Sequence, residues 1–114
     1  MLILINSQKI DIINGLGKII IFGTGGVYTE VYDDISLRIL PDHNLKEMVN
    51  ETKLGKILNG YRGEKSKNIQ CIMDILEAIQ KIALDFDEIN SIDINPLMIT
   101  DDKAYVVDFK VVLK

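Results

Sequence analysis

Ser91-Ile92-Asp93-Ile94-Asn95-Pro96-Leu97-Met98-Ile99-Thr100 and, after the turn residues Asp101-Asp102-Lys103, Ala104-Tyr105-Val106-Val107-Asp108 carry the pattern of two strands joined by a short turn. Two apolar runs within Ile89–Thr100 flank Pro96, which has no backbone N–H and so interrupts or ends a strand near Asn95-Pro96. Ala104–Leu113 reads as a last strand. Antiparallel pairing across the turn has its midpoint at about 101.5, which sets Asn95 opposite Asp108. Asp93 stands two residues before Asn95 and projects to the same face. Oxygen donors on neighbouring strands suit a hard cation such as Mg²⁺, which takes carboxylate, amide, water and phosphate oxygens. The alternative is a solvent-exposed polar face of a hairpin. Asp108 within the apolar run Tyr105–Phe109 tilts the reading toward function, because a carboxylate embedded there needs a partner.

Upstream, Ile69, Ile72, Leu76, Ile79, Ala83 and Phe86 recur at alternating spacings of three and four, which predicts one amphipathic helix of about five turns with Asn68 as its cap. A shorter helix is expected from Asn44, with Glu47 three residues on and Leu45, Met48 and Val49 sharing a face, ending near Lys53. Lys56–Gly63 reads as loop. The first forty residues are β-rich: Leu2–Asn6, Gln8–Ile13, Lys18–Gly23, Val27–Tyr32 and Ile35–Leu40 are strand candidates separated by glycine or aspartate turns. The fold class is therefore α+β, a mostly antiparallel sheet with two helices packed on one face, in a single domain over 1–114.

Three further groups could carry chemistry. Gly23-Thr24-Gly25-Gly26 follows an apolar strand, and glycines there let backbone N–H groups approach a phosphate; a plain tight turn is the competing reading. The segment is neither a Walker loop nor a dinucleotide fingerprint, since no Gly-Lys-Ser/Thr and no helix follow it. Arg38 and Arg62 could each clamp a phosphate or form a surface ion pair. His43 reads as a surface residue and Cys71 as helix packing.

Composition narrows the function. Of 114 residues, 47% are apolar and 26% charged, with 13 basic against 17 acidic side chains for a net charge of −4. That balance argues against nucleic acid and anionic membranes as partners, because counterion release needs clustered Lys and Arg. One cysteine and one histidine exclude an internal disulfide and a multi-histidine metal centre. No run approaches a membrane span, so a soluble, cytoplasmic protein is expected. Isoleucine, at 20 of 114, favours sheet.

The order of motifs resembles the ATP-grasp domain of ADP-forming acetate–CoA ligases, a family similar to succinyl–CoA ligase. Ile21-Phe22-Gly23-Thr24-Gly25-Gly26-Val27-Tyr28-Thr29-Glu30-Val31, Asp33-Asp34, Ser36-Leu37-Arg38 and Pro41 carry the first part. Tyr61-Arg62-Gly63-Glu64, Leu84-Asp85-Phe86, Asp93-Ile94-Asn95-Pro96-Leu97 and Val106-Val107-Asp108 carry the second, so the match runs from about Gly17 to Val112. The family makes acyl-CoA from acid and CoA, or runs backwards to form ATP from ADP and phosphate through a phosphohistidine. The resemblance implies that Asn95 and Asp108 hold the Mg²⁺ of bound ATP or ADP, with Asp93 supporting or joining it. Gly23, Gly25, Gly26, Glu30 and Arg38 would shape the nucleotide and phosphate cleft. No catalytic residue is assigned.

The departures are as informative. The chain resembles only the second subdomain of an ATP-grasp fold; residues 1–16 match poorly, and Thr24 replaces a leucine. The phosphate-contacting lysine, the loop over the phosphates and the histidine region have no counterpart. The resemblance thus implies an ATP-grasp subdomain or subunit of an acyl–CoA ligase, inactive alone, whose partners are a first-half ATP-grasp chain or a CoA-binding subunit. The alternative is a truncated relic, or a self-associating non-enzymatic domain that binds no nucleotide. Loss of the first subdomain should expose apolar surface, so a homo-oligomer is expected.

Overall fold

The computed structural model describes residues 3–5, 7–13, 17–23, 34–58, 69–94, 96–100 and 103–114. The strands are β1 (Ile3–Ile5), β2 (Ser7–Ile13), β3 (Gly17–Gly23), β4 (Ile35–Ile39), β5 (Ile89–Ile94), β6 (Leu97–Ile99), β7 (Ala104–Val106) and β8 (Phe109–Leu113). The helices are α1 (Leu45–Asn50), α2 (Lys53–Leu58) and α3 (Ile69–Asp85). A five-stranded sheet has the order β4-β3-β2-β5-β8 and a three-stranded sheet the order β1-β6-β7. Every pairing is antiparallel. The α+β class and the antiparallel sheet are as expected from the sequence; the expected strand Val27–Tyr32 lies outside the described residues.

One hairpin serves both sheets. Leu97 faces Val106 and Ile99 faces Ala104 in the small sheet, while Ile94 faces Phe109 and Asp93 faces Lys110 in the large one. These pairs share one register, the one the midpoint at the turn predicts. Between them the Val107 N–H donates to the Pro96 carbonyl at 3.1 Å. The expected single strand Ala104–Leu113 is therefore two, parted at Val107-Asp108, where Pro96 on the facing strand can offer an acceptor but no donor.

The core lies between the large sheet and the helices. Strand β3 contributes Ile20 and Phe22, fully buried, against Leu45, Met48 and Val49 of α1 and Ile72 and Leu76 of α3. The predicted stripe of α3 is largely correct: Ile72, Leu76, Ile79 and Ala83 are buried and Ile69 is half-buried. Phe86 is 53% exposed because the helix ends at Asp85. The Lys18 ammonium closes that end, donating to the Ala83 carbonyl and, at 3.1 Å, to the Phe86 carbonyl. A cation at a helix C-terminus satisfies orphan carbonyls and opposes the negative end of the dipole. The expected cap at Asn68 lies outside the described residues.

Two local expectations are corrected. Lys53–Leu58 is a helix, where the sequence suggested a helix ending near Lys53 and then loop. Its start is held by Thr52, whose hydroxyl donates to the Val49 carbonyl at 2.7 Å and accepts the Gly55 N–H at 2.8 Å. The Asp34 carboxylate accepts the N–H groups of Lys53 and Leu54 at 2.8 and 3.0 Å. Those are three of the orphan donors a helix start leaves open. At the α1 start, Asn44 makes no side-chain cap; its carbonyl accepts the Glu47 N–H at 3.2 Å.

Candidate functional site

Because residues directly opposite in antiparallel strands share a face, the register defines a row across the large sheet: Leu37, Ile21, Lys9, Asp93, Lys110. Ile92 and Ile94, the neighbours of Asp93, are buried on the helix side, so Asp93 stands on the opposite, open side and is half-buried. One end of the row is apolar and the other is charged, with Asp93 between two lysine positions. The sequence reading missed Lys9 and Lys110. The arithmetic that set Asn95 opposite Asp108 also sets Asp93 opposite Lys110, so that signal was available.

Asp108 sits at the seam between β7 and β8 and is exposed. Its Oδ1 accepts the Phe109 N–H at 2.9 Å. The expectation that it is embedded in an apolar strand, and so needs a partner for burial, is corrected: its neighbours Val107 and Phe109 are 54% and 64% exposed, and no desolvation penalty acts on it. Asn95 lies outside the described residues, as do Gly25, Gly26, Glu30 and Arg62. The paired residues on either side of Asn95, Ile94 with Phe109 and Leu97 with Val106, keep the register that would bring it opposite Asp108.

Gly23 ends β3 where β4 comes closest. A Cβ added there would lie 2.2 Å from the Asp34 carbonyl oxygen and 2.8 Å from the Ile35 Cα, so no side chain fits without moving the strands apart. The structural demand for glycine at this position is thus the β3–β4 approach.

Arg38 lies on the helix side of β4, facing Ile20 in register. Its guanidinium donates to Glu51 Oε1 and lies 4.0 Å from Asp42 Oδ2. Ser36 donates to Glu51 Oε2 at 2.6 Å. The hydrogen bond to Glu51 raises the Arg38 pKa above its ordinary value, and the bonds from Arg38 and then Ser36 lower that of Glu51. Asp34, Ser36 and Arg38, alternate residues on one side of the edge strand, therefore clasp the α1–α2 elbow. The structure gives Arg38 this carboxylate partner, on the face away from Asp93.

Among the described residues no three His, Cys, Asp or Glu side chains converge as a ready-made metal cluster. Among the described residues, Asp93 on the open face and the exposed Asp108 at the seam offer a sparse set of hard oxygens. That set fits a cation that keeps waters and takes its remaining ligands from phosphates, as Mg²⁺ does, and would not fit an all-protein cage. His43 is exposed and Cys71 half-buried, as read from the sequence.

A family profile described as an ATP-grasp domain matches residues 10–113. The chain belongs to the ATP-grasp family. It is 44% identical over 99 residues to the ADP-forming acetate–CoA ligase I of Archaeoglobus fulgidus, covering 85% of this chain and 14% of that one. It is 39% identical over 99 residues to the ADP-forming acetate–CoA ligase I subunit beta of Pyrococcus furiosus, covering 85% and 43%. In structure it is similar to the acetyl-coenzyme A synthetase 1 of Ca. Korarchaeum cryptofilum, solved in complex with coenzyme A and Mg-AMPPCP. That match has a TM-score of 0.84 at 30% identity and covers 97% of this chain and 52% of the other. The chain thus spans under half the length of the Pyrococcus subunit and about a seventh of the Archaeoglobus ligase. Among the described residues no helix of this ATP-grasp chain is long and apolar enough to cross a membrane.

Proposed function

We propose that this chain is the second ATP-grasp subdomain, or a subunit, of a cytoplasmic ADP-forming acyl–CoA ligase, contributing the metal and phosphate side of a nucleotide site that the rest of such a ligase completes. What carries the reading is the register of the β5–β8 and β6–β7 hairpin, unbroken across the seam that contains Asp108. Asn95 and Asp108 would hold Mg²⁺, with Asp93 beside them on the same face, and Gly23, Gly25, Gly26 and Glu30 would border the phosphates. When bound, Mg²⁺ neutralises phosphate charge during transfer. The positions of Lys9 and Lys110 flank Asp93 in register. Arg38 enters the reading as an anchor of the α1–α2 elbow, and a phosphate role for it requires displacement of Glu51.

A half-site positions phosphate without enclosing the base, so little or no turnover is expected from the chain alone. The partner that completes it is a first-half ATP-grasp chain or a CoA-binding subunit. Calorimetric titration with ATP and ADP, each with Mg²⁺ and with chelator, tests the reading. Magnesium-dependent heat that disappears in Asn95→Ala and Asp108→Ala supports it. Absence of heat at millimolar nucleotide leaves the fold standing and favours an incomplete or relic domain that does not bind the ligand by itself.

A further inference from the structure

We propose that the edge strand β8 is a self-association surface, where two copies of this chain join antiparallel about Val111 and continue the five-stranded sheet across a twofold axis. Strand β8 is an edge in the sheet order, and all five of its residues are exposed. Phe109 and Leu113 are 64% and 65% exposed, the highest values among the large apolar residues described. An open apolar edge strand is a template for pairing with another chain. Beside it, Phe109 and Val111 line an apolar groove of about 330 Å³ with Ile75 and Ile82 of α3. Among the described residues, helix α3 packs over β2 and β5, and the β8 residues beside it stay exposed.

Self-pairing is favoured because the strand is complementary to itself. With the twofold at Val111, Phe109 of one copy meets Leu113 of the other and the two Val111 side chains meet at the centre, so the exposed apolar positions on the helix side cover one another. On the open side Lys110 meets Val112, so the one charge of the strand never faces its own copy. Phe109, Val111 and Leu113 make the helix-side edge of the strand apolar along its whole length, the kind of exposed patch that marks an interaction site. The inference needs no nucleotide and stands apart from the ligase reading.

Light scattering on a size-exclusion column at micromolar concentration reads the assembly directly. The wild-type chain should show twice 12.9 kDa, and Phe109→Asp should show the monomer mass with an unchanged circular dichroism spectrum, since Phe109 is outside the core. The register has its own signature in the sign of a charge effect at position 112. Val112→Lys places a lysine opposite each Lys110 and should weaken the dimer, while Val112→Glu should strengthen it. Each of the two cross-strand pairs should shift the dissociation constant about two- to fivefold. A monomeric wild type overturns the proposal and gives the face to another polypeptide. Position-112 variants with equal dissociation constants, or a Phe109→Asp dimer, overturn the β8 register.

Discussion

Replacing Asp34 by alanine separates a structural from a ligand-binding account of the segment Asp34–Arg38. The carboxylate accepts two backbone N–H groups at the start of α2, at 2.8 and 3.0 Å, and the Leu54 that owns one of them is 5% exposed. Removing a capping carboxylate costs roughly 0.5–2 kcal/mol, and leaving a buried amide without an acceptor lies at or above the top of that range, so Asp34→Ala should cost about 2 kcal/mol. Asp34→Asn keeps one acceptor oxygen and should cost about 1 kcal/mol. For a chain of this length 1 kcal/mol corresponds to about 4 °C in Tm, which puts the two variants about 8 and 4 °C below the wild type. Thermal unfolding followed by circular dichroism measures both. Native-state hydrogen exchange then locates the change, since the Lys53 and Leu54 amides should lose protection while that of Gly55, held by Thr52, keeps it. The reasoning is refuted if Asp34→Ala melts within about 1 °C of the wild type, or if the lost protection falls elsewhere.

Three further outcomes follow from the same contacts. Gly23→Ala forces a Cβ to within 2.2 Å of the Asp34 carbonyl oxygen and should lower the urea midpoint by the equivalent of roughly 1–3 kcal/mol; an unchanged midpoint would show that β3 and β4 are not so close. The Arg38 and Ser36 hydrogen bonds lower the folded pKa of Glu51 below its ordinary 4.5, so the stability they bring is present above that value and lost as pH falls through the folded pKa. Acid titration of stability below about pH 4.5 should therefore be shallower in Glu51→Gln than in the wild type, and parallel curves would exclude the clasp. Lys18→Gln removes the ammonium from the Ala83 and Phe86 carbonyls and should cost about 0.3–1 kcal/mol, with faster amide exchange confined to the last turn of α3.

What the sequence revealed was what local pattern determines. The α3 stripe was legible because one helix face repeats every three to four residues, and the hairpin register because a short turn fixes which residues meet. Helix α2 was not legible. Thr52 supplies one acceptor at its start, but the other two come from Asp34, 19 and 20 residues before the amides it accepts, and no window over Lys53–Leu58 contains that carboxylate. The split between β7 and β8 escaped for a related reason: Val106-Val107-Asp108-Phe109 is apolar enough to read as one strand, and the interruption comes from Pro96 across the ladder.

The residues that resemble a family motif divide by face, and the division decides what each can do. Asp34, Ser36 and Arg38 alternate toward the helices and spend their polar groups on the α1–α2 elbow. Asp93, on the other face, has only the lysine positions of its row beside it in register. A motif read as a string assigns both sets to one cleft, but a β-strand sends successive side chains to opposite sides of the sheet. Spacing of two within the Asp34–Arg38 set therefore argues for one shared task, which is to tie that elbow to the edge strand that faces Gly23. Holding that elbow fixes where β4 lies against the end of β3, and so fixes the two anchor points of the segment between Gly23 and Asp34. The clasp can matter to a ligand on the open face by setting those anchors, without any of its three side chains reaching it.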